Sequence, residues 1–144
     1  MLCPMIGSGN EGSREIPEEG RKRMKLSEIV QAIDAEVLCC EDRVREIDIQ
    51  TAYASDLMSD VLAFCAPGSM LLTGLTNIQI VRTAQMLDLP VIVFVRGKTP
   101  LEDTIRLAEN NGIPVLVSSW SMYETSGILY REGVPACPMA HKKE

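Results

Sequence analysis

Several residue types that carry well-known chemistries are scarce in this sequence. The five cysteines include no C-x-x-C pair, and the single histidine, His141, lies near the end of the chain. We therefore expect no zinc site and no other metal centre. Aromatic residues make up only 4% of the chain and the net charge is −6. A surface for nucleic acids needs basic residues and stacking aromatics, so this composition argues against one.

Long apolar segments are also missing. No apolar run approaches the ~18 residues that a membrane-spanning helix needs, and the first residues lack the basic region and apolar core of a signal peptide. These absences predict a cytoplasmic protein without a membrane partner. The hydrophobic share of 46% suits a globular core, and a chain of 144 residues is long enough for one domain.

The main pattern of the sequence is an apolar strand, a short polar loop and a helix start, repeated in succession. The predicted strands are 70–73, 91–95 and 115–117. Strands that alternate with helices form parallel sheets with helical crossovers. We therefore predict an α/β fold, a single three-layer-like domain with a mainly parallel sheet. It spans residues 25–134, between flexible tails at 1–24 and 135–144 that show no apolar period.

Further elements are predicted around this repeat. A strand is expected at 36–40, and residues 47–53 alternate between apolar and polar as a half-buried strand does. A helix is expected to begin at Asn77.

Two capping boxes predict where later helices begin. Thr99 and Glu102 form the first box, with Pro100 at the first helical position, and Ser121 and Glu124 form the second. In each box a hydroxyl and a carboxylate satisfy backbone N–H groups at the helix start.

The loops that follow the repeated strands define the candidate site, because the carboxyl ends of parallel strands meet at one edge of the sheet. Helix N-termini attract anions, and Arg96 and Lys98 add positive charge there. The expected ligand-binding residues are Thr73, Gly74, Thr76, Asn77, Arg96, Gly97, Lys98, Thr99, Ser119 and Ser121. The backbone N–H groups at 97–99 are the expected donors to an anion. The alternative is that the hydroxyls only cap helices and that both basic side chains are solvated.

The sequence contains no complete catalytic motif. Residues 97–99 resemble the end of a phosphate-binding P-loop, but the full motif needs a glycine where Ile92 stands. Asp56 and Asp60 lie one helical turn apart. This pair suits a Mg²⁺ site or, more simply, the favourable interaction of acids with a helix start. No base is placed beside them by spacing, so we expect no catalytic residues and no enzyme activity.

The sequence resembles the DRTGG domain family. The resemblance covers roughly residues 25–134 and is carried by 55–63, 71–74, 91–97 and 112–117. It extends to the N-terminal domain of HPr kinase/phosphorylase, which shares the fold. The family pattern implies a small α/β domain that has a regulatory or dimerising role and no catalytic residues of its own.

From the resemblance and the loop pattern we expect a non-enzymatic, stand-alone regulatory domain that forms a homodimer. It is expected to sense a small phosphorylated metabolite or nucleotide and to need no cofactor. The alternative is a protein-interaction module without a ligand that regulates a partner enzyme. Trp120 and Tyr123 are the candidate dimer contacts, although Trp120 also suits ligand stacking or a place in the core.

Overall fold

The computed structural model describes residues 24–138, which contain seven strands and six helices. The strands are β1 (Met24–Lys25), β2 (Glu36–Cys39), β3 (Asp48–Ile49), β4 (Thr51–Ala54), β5 (Ser69–Thr73), β6 (Val91–Phe94) and β7 (Val115–Val117). The helices are α1 (Leu26–Ala32), α2 (Glu41–Val44), α3 (Met58–Phe64), α4 (Gln79–Met86), α5 (Glu102–Asn110) and α6 (Met122–Glu132). None of these helices is long and apolar enough to cross a membrane.

The main sheet has five strands in the order β2-β7-β6-β5-β4. Strands β4 to β7 are parallel, and β2 joins the far edge antiparallel to β7. Met70 pairs with Val91 and Ile92 pairs with Val115 in the central ladder. The predicted parallel arrangement of the three repeated strands is confirmed, and so is the α/β class with a mainly parallel sheet.

The sheet is buried on both faces, which explains why β5, β6 and β7 read as continuous apolar runs. Helices α1 and α6 cover one face. The core on that side includes Leu26, Ile29, Leu72, Val93, Leu116 and Leu129. Helices α3, α4 and α5 cover the other face, where the core includes Val61, Ile80, Ala84, Ile92, Phe94 and Ala108. The layers are therefore helices, sheet and helices.

The alternating segment 47–53 is not one strand. Its first half, β3, pairs with β1 in a separate two-stranded ribbon, in which Met24 lies opposite Ile49. Its second half, β4, joins β5 at the edge of the main sheet. The segment does alternate, but its two halves pair with different strands, and the chain passes from one partner to the other at the exposed residue Gln50.

The second capping box forms as predicted. Ser121 Oγ accepts from the N–H of Glu124 at 3.1 Å, and the carboxylate of Glu124 accepts from Ser121. The helix ends at Gly133, whose φ of 110° lies in the left-handed region that favours glycine.

The first capping box does not form. Helix α5 begins at Glu102, and the exposed Thr99 makes no capping hydrogen bond to it. The loop is stretched instead, because the N–H of Leu101 donates to Thr76 O in the neighbouring loop at 3.3 Å. A contact between loops therefore replaces the local cap.

Residues 135–137 are not a loose tail. The N–H of Ala52 donates to Pro135 O at 3.1 Å, and the N–H of Cys137 donates back to Ala52 O at 3.0 Å. This short extended segment adds to the edge of the sheet beside β4, with Cys137 buried. Backbone pairing of this kind needs no apolar period, which is why the sequence pattern missed it. The remaining residues of the expected tails, 1–23 and 139–144, lie outside the described residues.

Candidate functional site

The loops at the carboxyl edge of the sheet are joined through their backbones. The N–H of Arg96 donates to Trp120 O and the N–H of Gly97 donates to Ser118 O, both at 2.8 Å. These bonds connect the loop after β6 to the loop after β7. The edge is therefore one connected surface, as the parallel topology predicts.

Asp56, which follows β4, anchors the loop after β5. Its Oδ1 accepts from the N–H of Gly74 at 2.6 Å and from Thr73 Oγ1 at 3.1 Å. Thr73 Oγ1 in turn accepts from the N–H of Leu75 at 3.2 Å. Thr73 and Gly74 are buried, whereas Asp56 is exposed. Oδ1 thus holds the loop, and Oδ2 accepts no hydrogen bond within residues 24–138, so it can accept from a further donor.

The guanidinium of Arg96 lies over Gly74. A Cβ built at Gly74 would stand 2.7 Å from Arg96 Nη2 and 3.5 Å from Asp56 Oδ1. A larger residue at this position therefore requires the guanidinium to move. We call Asp56, Gly74 and Arg96 the carboxyl-edge cluster, in which an acceptor and a cationic donor meet beside a glycine.

The backbone of Arg96 is in the left-handed region, with φ of 64°, and so is Gly97. This conformation is uncommon for a residue with a Cβ and costs roughly 1–3 kcal/mol. The tight turn that it makes places the Arg96 N–H against Trp120 and the Arg96 side chain against Gly74.

The predicted donors to an anion are partly occupied. The N–H of Gly97 donates to Ser118 O and that of Lys98 donates to Val95 O at 3.3 Å. The prediction that the backbone at 97–99 would cradle a phosphate is therefore wrong for these two groups. The side chains of Arg96 and Lys98, which are exposed, remain the cationic groups of this edge.

Several other predicted site residues have structural roles. Thr76 O accepts from Thr104 Oγ1 at 3.1 Å, and Asn77 Oδ1 accepts from the N–H of Gln79 at 3.0 Å, just before α4 begins. Ser121 caps α6, as described above. Ser119 lies beside Gly97 on the surface of the edge.

Sequence reasoning left Asp56 out of the ligand site. The missed signal was that the loop after β4 reaches the same edge as the other three loops, since β4 is parallel to them. The Mg²⁺ alternative for Asp56 and Asp60 finds no further support. Among residues 24–138, no group of three His, Cys, Asp or Glu side chains is placed to hold a metal ion.

A second feature is a groove of about 780 Å³ between α6 and the sheet edge. We call it the α6 groove; it is bounded by Ala52–Ala54 of β4, by α6 and by the segment at 135–137. Three of its four aromatic side chains are exposed, with 88% of Tyr123, 71% of Tyr130 and 42% of Trp120 accessible, whereas Tyr53 is half-buried. Trp120 is thus not a core residue, and it lies where the groove meets the carboxyl edge.

Two buried cysteines, Cys39 and Cys65, are poorly suited to act as nucleophiles. Burial raises the pKa of the Cys65 thiol to about 11, and Cys137 nearby raises it too. Burial likewise raises the pKa of Cys39 to about 12. A reactive cysteine needs a lowered pKa, because the thiolate is the attacking species. These two thiols are packing residues.

Comparisons with known proteins match this architecture. A family model described as the DRTGG domain matches residues 28–131. A solved structure of the CBS and DRTGG domains of the regulatory region of Clostridium perfringens pyrophosphatase, complexed with the activator diadenosine tetraphosphate, is similar in fold. Its TM-score is 0.64 and its sequence identity is 18%. The match covers 82% of this chain but only 52% of that one, so this chain spans about half of the solved structure. No curated protein matches the chain.

Proposed function

The chain belongs to the DRTGG domain family, and we propose that it is a non-enzymatic regulatory domain that senses a nucleotide or another small phosphorylated metabolite. The observation that carries this proposal is the carboxyl-edge cluster. A cationic guanidinium and a carboxylate converge on Gly74 at the edge of a parallel sheet, where ligands of such folds usually bind.

The chemistry of the cluster suits a ligand with both phosphate and hydroxyl groups. The guanidinium of Arg96 presents a planar fork of donors that matches phosphate oxygens, and Lys98 adds a second positive charge. The free oxygen of Asp56 accepts from a hydroxyl, as acidic residues do with ribose in other parallel-sheet proteins. The neighbour's activator, diadenosine tetraphosphate, is a ligand of this class.

We further propose that the domain works in the cytoplasm as a stand-alone homodimer and passes its ligand state to a partner enzyme. The neighbouring solved structure supports the regulatory part, because its DRTGG domain belongs to the regulatory region of a pyrophosphatase. A two-fold dimer is the commonest closed assembly of soluble proteins.

A second candidate function is a protein-interaction module that uses no ligand. The α6 groove favours it, since Trp120, Tyr123 and Tyr130 are large, exposed aromatic residues on one surface. Aromatic residues of this kind are enriched at protein interfaces.

A ligand titration separates the two candidates. A thermal-shift screen of the full chain with ATP, ADP, diadenosine tetraphosphate and inorganic phosphate selects the best ligand, which is then titrated calorimetrically. We expect Arg96→Ala to weaken its binding about ten- to a hundredfold, because a charge-assisted hydrogen bond contributes about 1.5–3 kcal/mol.

The matched control is Arg45→Ala, which removes an exposed arginine just after α2. Because α2 follows the antiparallel strand β2, this residue lies at the opposite edge of the sheet from the cluster. The control variant should leave the affinity unchanged. Equal weakening by both variants would mean that only net charge matters. If none of these compounds stabilises the protein, the interaction module becomes the better hypothesis.

A further inference from the structure

Helix α6 carries a stripe of residues that stay exposed within residues 24–138. Tyr123, Gly127 and Tyr130 are all exposed and line the α6 groove. Their spacing of four and then three residues places them on one face of the helix, in the pattern by which helices pair with other helices. Trp120 extends the stripe just before the helix begins.

The middle of this stripe is unusually open. A Cβ built at Gly127 would have no heavy atom within 4 Å. A glycine inside a helix costs roughly 0.5–1 kcal/mol relative to alanine, and no contact within the described residues explains its presence here. The glycine instead leaves a gap between two large aromatic side chains, into which another surface can insert.

The groove also carries two charges of opposite sign. Glu124 and Arg131 are the two charged residues of its lining. They lie symmetrically in sequence about the midpoint between Gly127 and Ile128. Neither forms an ion pair within residues 24–138. Glu124 Oε1 accepts from Ser121 Oγ, so its second oxygen is left for a further partner.

We propose that the α6 groove binds a second copy of this chain, with the two α6 helices antiparallel about a two-fold axis near Gly127 and Ile128. An antiparallel pair centred there places each Glu124 opposite the partner's Arg131, so that one interface contains two equivalent ion pairs. Each open glycine position then receives apolar surface from the other helix. The pattern is complementary to itself, as an isologous interface requires, and this is why we assign a second copy rather than an unrelated protein.

This inference rests on the homodimer of the proposed function and names its surface. The test exchanges the two charges between chains. In Glu124→Arg both groove charges are positive, and in Arg131→Glu both are negative. Like charges then face each other twice in either homodimer, so we expect each variant alone to have a dissociation constant raised about tenfold or more.

A mixture of the two variants reverses this effect, because every facing pair is again of opposite sign. We expect the mixture to form heterodimers with an affinity close to that of the unaltered chain. Multi-angle light scattering and native mass spectrometry of the full chain, with one variant carrying a mass tag, measure both results. The control is Arg82→Glu, which changes the net charge equally on α4 and should remain dimeric.

Gly127→Leu provides an independent variant, because the open space lets the single chain fold while the leucine blocks close approach of the helices. We expect a monomer with an unchanged circular dichroism spectrum. Dimers that persist in both single charge variants and in Gly127→Leu would overturn the proposed surface but leave the dimer intact. Single variants that are monomeric and do not associate when mixed would overturn the antiparallel arrangement. An unaltered chain that is monomeric at micromolar concentration would overturn the dimer as well, whereas the nucleotide hypothesis would be unaffected.

Discussion

Replacing Gly74 by alanine separates the contribution of Arg96 to ligand binding from its contribution to folding. The new Cβ would lie 2.7 Å from Arg96 Nη2 and 3.2 Å from Arg96 Cζ. The first distance is too short for a carbon and a nitrogen atom in contact, and the second is tighter than most contacts of a Cβ atom. The guanidinium has to swing away, and because Arg96 is exposed it has room to do so. The carboxylate of Asp56, at 3.5 Å, stays in ordinary contact.

The free energy of unfolding should hardly change. Gly74 is not among the residues with positive φ, so alanine introduces no backbone strain. Alanine also restricts the unfolded chain, which stabilises a protein by about 0.4–1 kcal/mol at a compatible site. The displaced guanidinium costs little, because exposed polar contacts contribute little. We therefore expect stability equal to that of the unaltered chain or slightly higher.

Ligand affinity should fall even though the arginine is still present. Loss of the charge-assisted bonds from Arg96 amounts to about 1.5–3 kcal/mol, which is about ten- to a hundredfold in the dissociation constant. Gly74→Ala and Arg96→Ala remove the same interaction, so the double variant should bind no more weakly than Arg96→Ala alone.

Calorimetric titration with the best nucleotide, together with urea unfolding of all four proteins, completes the double-mutant cycle. Additive losses of affinity would show that Gly74 and Arg96 act on the ligand separately. Unchanged binding in Gly74→Ala would show that the guanidinium does not hold the ligand from its position over the glycine.

Two further predictions concern stability. Ser121→Ala should lower the free energy of unfolding by about 1 kcal/mol, because the hydroxyl caps α6. Thr99→Ala should change it by less than about 0.5 kcal/mol, because Thr99 does not cap α5. Equal losses for the two variants in urea unfolding would contradict the structure. The raised pKa values of Cys65 and Cys39, about 11 and about 12 against 9.0 for a free thiol, mean that the unfolded chain releases these protons first. The free energy of unfolding is then retained below pH 9.0 and falls as the pH rises toward 11. In urea unfolding at a series of pH values, Cys65→Val should show a smaller fall over this range. An equal dependence of the unfolding free energy on pH in both proteins would contradict the prediction.

The parts of the fold that were predictable from sequence are those that local contacts decide. Strands β5, β6 and β7 are buried on both faces, so every residue in them is apolar or small. Such a continuous run indicates a buried strand without reference to the rest of the sequence. The box formed by Ser121 and Glu124 closes within one turn and needs no distant residue. The family resemblance rests on the same segments and is confirmed by the match over residues 28–131.

The errors arise where a distant contact outweighs a local signal. Thr99 and Glu102 have the same spacing as the successful box, yet the bond from Leu101 to Thr76 stretches the loop and moves the helix start. The alternation at 47–53 is shared between two sheets, which no period in the sequence reveals.

The candidate site shows the same division. Its position followed from the order of strands and helices, and Arg96 lies at that edge as predicted. The role of Asp56 depends on the parallel pairing of β4 with β5, which brings its carboxylate to the N–H of Gly74. Tyr123 was expected at a surface, and it is exposed. The α6 groove itself depends on how α6 packs beside the sheet edge and the segment at 135–137, which no sequence pattern reveals.

The two proposed surfaces meet at one hydrogen bond. The side chain of Arg96 belongs to the carboxyl-edge cluster, while its N–H donates to the carbonyl of Trp120, a residue that lines the α6 groove. A ligand that draws on Arg96 therefore acts on a residue whose backbone positions the end of the proposed dimer surface. A ligand shifts assembly only by its difference in affinity for monomer and dimer, and the effect is reciprocal. The ratio of nucleotide affinities in the unaltered dimer and in the Arg131→Glu monomer is therefore a direct measure of the coupling. A ratio of one would mean that nucleotide binding and dimerisation are independent of each other. Any other value would mean that nucleotide binding changes the dimerisation equilibrium.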